Sequence, residues 1–164
     1  MIRRIFTLRW NPYQGRILRS KCSEVAWQDD WPKIVRDLKD TIEANPNAIG
    51  LAAPQIGSLL RIFVVRDGPR FLTFINPSIT DDGELESEHE SCLSMPGCVA
   101  LVTRPKAIKV VPVRLKNAPK PTEPTEFKAP GRLARVIQHE FDHLSGILIT
   151  DREAQAIREK KAGS

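Results

Sequence analysis

The sequence predicts one domain of mixed helix and sheet, and three observations carry that expectation. Apolar residues recur at helical spacing from Trp31 to Ile42, short β-rich runs occupy the middle of the chain, and a second helical stretch begins at Arg132. A length of 164 residues suits one hydrophobic core, and 41% apolar with 27% charged residues is a globular rather than a disordered composition. No apolar run approaches the roughly 20 residues of a membrane span, and the N-terminal stretch lacks the apolar centre of a secretory signal. A reducing cytoplasm is the expected compartment.

The chain opens with Arg3, Arg4, Arg9, Arg16 and Arg19 before any acid, a composition shared with organellar transit peptides. Charge is blocked along the sequence: residues 1–23 hold six basic groups and no acid, residues 81–103 six acids and no base, and residues 104–135 nine bases against two acids. The net charge of +5 therefore hides strong local fields. Solvated surface is the simpler explanation, and a basic face for RNA or a ribosome the sharper one.

In the first helix Trp31, Ile34, Val35, Leu38 and Ile42 form an apolar stripe, with Asp30 as N-cap and Asn45-Pro46 as stop. Arg61–Val65 and Phe71–Ile75 read as strands on either side of Asp67-Gly68-Pro69, Asn76-Pro77 ends the second, and Ala107–Val113 is a third. Asn117–Pro130, with four prolines, reads as a loop. The second helix runs from Arg132 to about Leu144, with Gly146 as its C-cap residue. From Asp151 a short third helix is expected, thinly apolar through Ala154 and Ile157.

Chemistry concentrates on the second helix. His139-Glu140-Phe141-Asp142-His143 spaces two histidines four residues apart, so both imidazoles stack on one face and converge on one point. Glu140 can lean toward that point and accept a proton from a water on a metal. A catalytic site of this type wants a third protein ligand and an open position. No histidine or carboxylate follows at a suitable spacing, which leaves Cys92 as the best candidate and His89 as its competitor. Cys22 and Cys98 read as small buried apolar residues, and three cysteines are too few for a disulfide framework. In Ile49-Gly50-Leu51-Ala52-Ala53-Pro54-Gln55 the small residues permit close backbone approach to a ligand and the proline presents Gln55 rigidly; a packed turn explains them equally well.

Gly50-Leu51-Ala52-Ala53-Pro54-Gln55, Glu90-Ser91-Cys92-Leu93-Ser94 and Gln138-His139-Glu140-Phe141-Asp142-His143 resemble, in order, the three signature motifs of the peptide deformylases. Leu18-Arg19 with Val25 and Ile75-Asn76-Pro77 extend the resemblance over roughly residues 12–150. It implies an α+β fold, with a metal-binding central helix surrounded by antiparallel β-strands, an N-terminal amphipathic helix and a short C-terminal helix, in one catalytic domain spanning 1–164. It implies hydrolysis of the formyl group from N-formylmethionine on new polypeptides. Cys92, His139 and His143 are the implied metal ligands, Glu140 the general acid/base, and the Gln55 amide and Leu93 backbone N–H the oxyanion donors. Ile49 and Gly50 lie where the family pairs its backbone with substrate. The implied metal is ferrous iron, with zinc, nickel or cobalt also able to occupy a thiolate and two imidazoles.

Around these residues, Asp142 and Gln138 are candidates to orient the ligands, and Glu90 to pair with Arg104 and hold the cysteine segment. The expected partners are formylated nascent peptides and, through the tail, the ribosome, with the chain acting as a monomer and no membrane or specific DNA involved. Two residues depart from the family pattern, which has glycine where this chain has Ala48 and Ser91. Ser91 is the graver departure if its backbone needs an angle that glycine tolerates better. The alternatives are a deformylase-like binding protein weakened by these changes, or another metallopeptidase built on the same helix. A copper site also uses two histidines and a cysteine but has no need of Glu140.

Overall fold

In a computed structural model that describes residues 1–8, 11–81, 83–112, 115 and 126–162, Asn11 accepts a hydrogen bond from the Tyr13 N–H at 2.8 Å and opens α1 (Pro12–Leu18). Sequence periodicity misses this helix because it spans only two turns. The amphipathic segment forms α2 (Trp31–Glu43), with Pro32 in its first turn, where a missing N–H costs nothing. Asp30 occupies the N-cap position without making a side-chain cap bond; the neighbouring Asp29 carboxylate instead accepts the Ala26 N–H at 2.7 Å. Leu38 and Ile42 are fully buried, and Trp31, Ile34 and Val35 pack beside them.

Among the described residues eight strands follow where three were expected: β1 (Gly50–Ala52), β2 (Ile62–Asp67), β3 (Arg70–Ile75), β4 (Pro77–Asp81), β5 (Leu85–Ser91), β6 (Val99–Pro105), β7 (Ala107–Pro112) and β8 (Phe127–Pro130). They form three antiparallel sheets ordered β1-β2-β3, β4-β7-β8 and β5-β6. A 3₁₀ turn at Ala53–Ile56 carries Gln55. At the junction of β3 and β4, Asn76 takes a left-handed φ of 47°. Its side chain pairs with the Val25 backbone at 2.7 and 3.0 Å.

The expected loop at 117–130 is corrected at its end. Phe127–Pro130 pairs with β7, its backbone ladder outweighing the proline signal, since Pro130 is the last residue of the strand. The rest of that expected loop, 117–125, lies outside the described residues, as do Arg9, Val113 and the Ile157 side chain. β5 escapes sequence reading because Leu85-Glu86-Ser87-Glu88-His89-Glu90-Ser91 is almost wholly polar; its ladder with β6 supplies what side-chain burial does not.

α3 (Gly131–His143) touches β1 and β2, β6, and β7 and β8, so it meets strands of all three sheets. Its Ala134 and Ile137 are fully buried in a cluster with Phe63, Val65, Val110 and Leu144, where the Phe63 and Phe74 rings stack at 4.7 Å. α4 (Ile149–Ala162) starts earlier and runs longer than expected and packs on β6. Among the described residues no helix is long and apolar enough to cross a membrane.

Between α3 and α4, Gly146 has φ +70°, and a Cβ there would sit 2.3 Å from the Arg19 carbonyl oxygen. Gly146→Ala combines left-handed strain with a backbone collision, so it is expected to destabilise the fold by about 2 kcal/mol or more in urea denaturation. An unchanged midpoint would show that this turn relaxes freely.

Candidate metal and catalytic site

The last two turns of α3 and the residues after β5 bring three ligand-type groups together. One ligand-type atom each from Cys92, His139 and His143 lies within 4.8 Å of the others, and Cys92 Sγ is 3.3 Å from His143 Nε2. His139 Nδ1 lies 3.0 Å from Glu90 Oε2. An ionised carboxylate only accepts, so Nδ1 carries the hydrogen, and in the neutral form of the ring the lone pair is on Nε2. His89, the alternative third ligand, stays out of the cluster. On β5 Glu90 is buried, whereas His89 is exposed and lines the cavity without joining the ligand-type group.

The surroundings act oppositely on the two imidazoles. Burial opposes a charge on His139, yet its hydrogen bonds with Cys92 and Glu90 outweigh that and push it up to about 10. For His143, burial and then the nearby His139 and Arg104 charges press the pKa well below the ordinary value, keeping its ring neutral. A thiol and two imidazoles brought within bonding reach of one point are a donor set that suits a divalent cation, so the residues present fit a metal ion. Burial alone would raise Glu90; hydrogen bonds with His139 and Arg104 instead hold it at about 2.

Glu90 is tied on several sides. Arg104 grips it in a fork at 2.7 and 3.0 Å, and Arg135 adds a bond at 2.8 Å. Arg104 also reaches Asp142 at 2.9 Å. Gln138 does not join this network. Its amide donates to the Pro105 and Ala134 carbonyls at 3.0 and 3.1 Å, because its place on α3 aims it at the end of β6.

Glu140 is buried against Gly50. A Cβ on Gly50 would lie 2.6 Å from Glu140 Oε1, so only glycine leaves room for the carboxylate. Burial pushes this carboxyl up to about 7 against the pull of His139 and Arg104, and its Oε2 has no hydrogen-bond partner among the described residues. Opposite, Gln55 is locked by accepting the Ala52 N–H at 2.8 Å, and its Nε2 points toward Ser94 Oγ (3.2 Å) and Cys92 Sγ (3.9 Å). Leu93 lines the same cavity, of about 790 Å³, whose walls also include Ile49, Met95, Arg132 and Val136.

Ile49 and Gly50 differ in what their backbones offer. The Ile49 carbonyl already accepts the Arg66 N–H at 2.7 Å. Antiparallel bonding alternates along a strand, so the Gly50 N–H and C=O face the open edge of β1. The Ile49 carbonyl is thus committed to β2, and both residues line the cavity.

Residues 8–160 match the family model described as polypeptide deformylase. A peptide deformylase of Clostridium botulinum is 41% identical over 142 residues, covering 85% of this chain and 92% of the relative. The crystal structure of peptide deformylase from Thermotoga maritima superposes with a TM-score of 0.78 at 35% identity, covering 93% of this chain and 97% of that one. The chain belongs to the peptide deformylase family. A Synechococcus elongatus peptide deformylase in complex with actinonin gives a TM-score of 0.76 at 36% identity, over 91% of this chain and 77% of that one. The protein is thus an enzyme that removes the N-formyl group from nascent peptides, in a metal-dependent family.

Both departures from the deformylase pattern are accommodated locally. Ala48 is 3% exposed and packs its methyl into the cluster with Val25, Leu38 and Leu51. Ser91 ends β5, and among the described non-glycine residues only Asn76 has a positive φ, so Ser91 bears no strain that glycine would relieve. Sequence reading gave no role to Ser94, Arg135 or Arg152. Arg135 precedes His139 by one helical turn, a spacing that could have pointed to it; no local signal marks the other two.

The remaining thiols part company. Cys22 is buried in the core, and desolvation pushes it up to about 11, whereas Cys98, expected to be buried, is half-exposed at the cavity wall. Iodoacetamide at pH 8 is expected to modify Cys98 and spare Cys22 in the native deformylase, read by peptide mass spectrometry; equal labelling would contradict this placement. Gly50→Ala is expected to displace Glu140 and lower formate release about 10²-fold while the protein stays folded. Turnover like that of the parent would show that the carboxylate has room to move.

Proposed function

We infer that Cys92, His139 and His143 hold one divalent metal ion on a central helix, and that Glu140 beside them is the general acid/base of deformylation. The observation that carries this reading is the convergence of three ligand-type atoms within 4.8 Å next to a buried carboxylate oxygen without a partner. Ferrous iron is the expected ion, with zinc, nickel or cobalt compatible with the same donors. When bound, such an ion supplies Lewis acidity that brings the pKa of a water toward neutrality.

The chain's own groups do the rest. Glu140 Oε2 takes the proton released as water adds to the formyl carbon, and returns it to the α-amine as the formyl C–N bond breaks, so formate and a free amino terminus leave. Gln55 Nε2, held in place through Ala52 and Ser94, and the Leu93 N–H are the donors for the oxygen that gains charge. Gly50 offers its N–H and C=O to the substrate backbone, with the Ile49 side chain at the wall. Glu90 fixes the tautomer of His139, and Arg104 holds Glu90 and Asp142 at one spacing. Residues 1–164 act as a single catalytic domain and monomer, working in the cytoplasm on peptides emerging from the ribosome.

Formate release from a short formyl-methionyl peptide by anaerobically purified, iron-loaded protein tests this reading. Glu140→Ala is expected to lower turnover by about 10²- to 10⁴-fold, and the unformylated peptide is expected to remain uncleaved. Full activity in the variant would remove Glu140 from the chemistry.

A further inference from the structure

The site as described leaves one charged group without a role. Arg152, on the first turn of α4, sets its guanidinium against Asp142: Nε donates to Oδ2 at 2.9 Å, and a second nitrogen donates to Oδ1. Asp142 is buried and immediately precedes His143. The same Oδ2 accepts from Arg104 at 2.9 Å. Arg104 divides its donors between Asp142 and Glu90, and Glu90 accepts from His139 Nδ1. An unbroken run of charge-assisted hydrogen bonds therefore leads from α4 through two carboxylates and Arg104 to the imidazole of His139.

Anchoring α4 does not depend on this contact alone. Arg19 pairs with Asp151, and the Leu101 N–H of β6 donates to Glu153 Oε1 at 3.1 Å. Both lie on α4 within one residue of Arg152 and neither touches Asp142.

We propose that Arg152 is a positioning residue of the deformylase: by saturating Asp142 it keeps Arg104 committed to Glu90, and so keeps His139 turned toward the metal. Arg104 is the shared resource. Asp142 Oδ1 has Arg152 as its partner, and a buried carboxylate oxygen deprived of its partner recruits the nearest donor. That donor belongs to Arg104, whose Nη2 is 3.0 Å from the same Glu90 oxygen that accepts from His139. Drawing Arg104 toward Asp142 loosens the carboxylate that orients the imidazole. A lysine at 152 restores the charge but not the two-pronged contact.

This inference rests on the metal-site reading above, and zinc release separates the two. Zinc-loaded protein is mixed with excess chelator well below its thermal midpoint, and the release rate is compared among parent, R152M, R152K and E153A. R152M is expected to release zinc about tenfold faster, R152K to fall between it and the parent, and E153A to stay within about twofold of the parent despite any loss of thermal stability. Parental release by R152M, or equal acceleration by E153A, would overturn the proposal, the latter by showing that loosening α4 anywhere suffices. Should R152M not fold, R152K decides by the same comparison with E153A. C92A and H139A are included, and if both retain stoichiometric zinc, the metal-site reading fails, whatever Arg152 does.

Discussion

The buried pairing of Glu90 with Arg104 is the interaction on which the site depends. Two carboxylates and a guanidinium, each under a tenth exposed, join the β5-β6 hairpin, whose connection carries Cys92, to the helix that carries both histidines. Neither element sets their separation alone, because Cys92 and His143 are 51 residues apart in sequence and 3.3 Å apart in space. Isolated buried charges are costly, and ion pairs in low dielectric repay that cost only with good geometry and full hydrogen bonding. Here Glu90 is met by Arg104, Arg135 and His139, and Asp142 by Arg104 and Arg152, which satisfies both carboxylates.

A second constraint links Glu140 to the open edge of β1. Glu140 occupies the space where a side chain on residue 50 would stand, and the Gly50 backbone faces the open edge of β1. The buried carboxylate and the strand edge thus share one position, with no side chain between them. Gln55 closes the opposite side from a turn that follows the same strand. One short strand and one helix set the distance between the Glu140 carboxylate, the Gln55 amide and the open strand edge.

Family membership and local chemistry agree, and the two departures from pattern show how the fold absorbs change. Ala48 adds its methyl to the apolar cluster beneath β1, and Ser91 lies in extended backbone where any residue is at ease. Neither takes space from the ligand-type cluster or from Glu140.

By themselves, the residues determined the helix from Trp31, the helix from Arg132, the two histidines on one face and the glutamate beside them. Those properties are local: a 3.6-residue period acts within a few turns, and a spacing of four aligns side chains whatever surrounds them. The sequence favoured Cys92 over His89 as their companion, but only the tertiary structure brings Cys92 to the histidines, since a polar strand such as β5 carries no apolar alternation and its inward face is set by pairing with β6. Likewise Gln138, adjacent to a histidine in sequence, turns to the Pro105 carbonyl, while Arg135 and Arg152, on two different helices, close on the carboxylates. Charge partners of this kind are selected by distance in space, and distance in space is a property of the packed chain, not of its order.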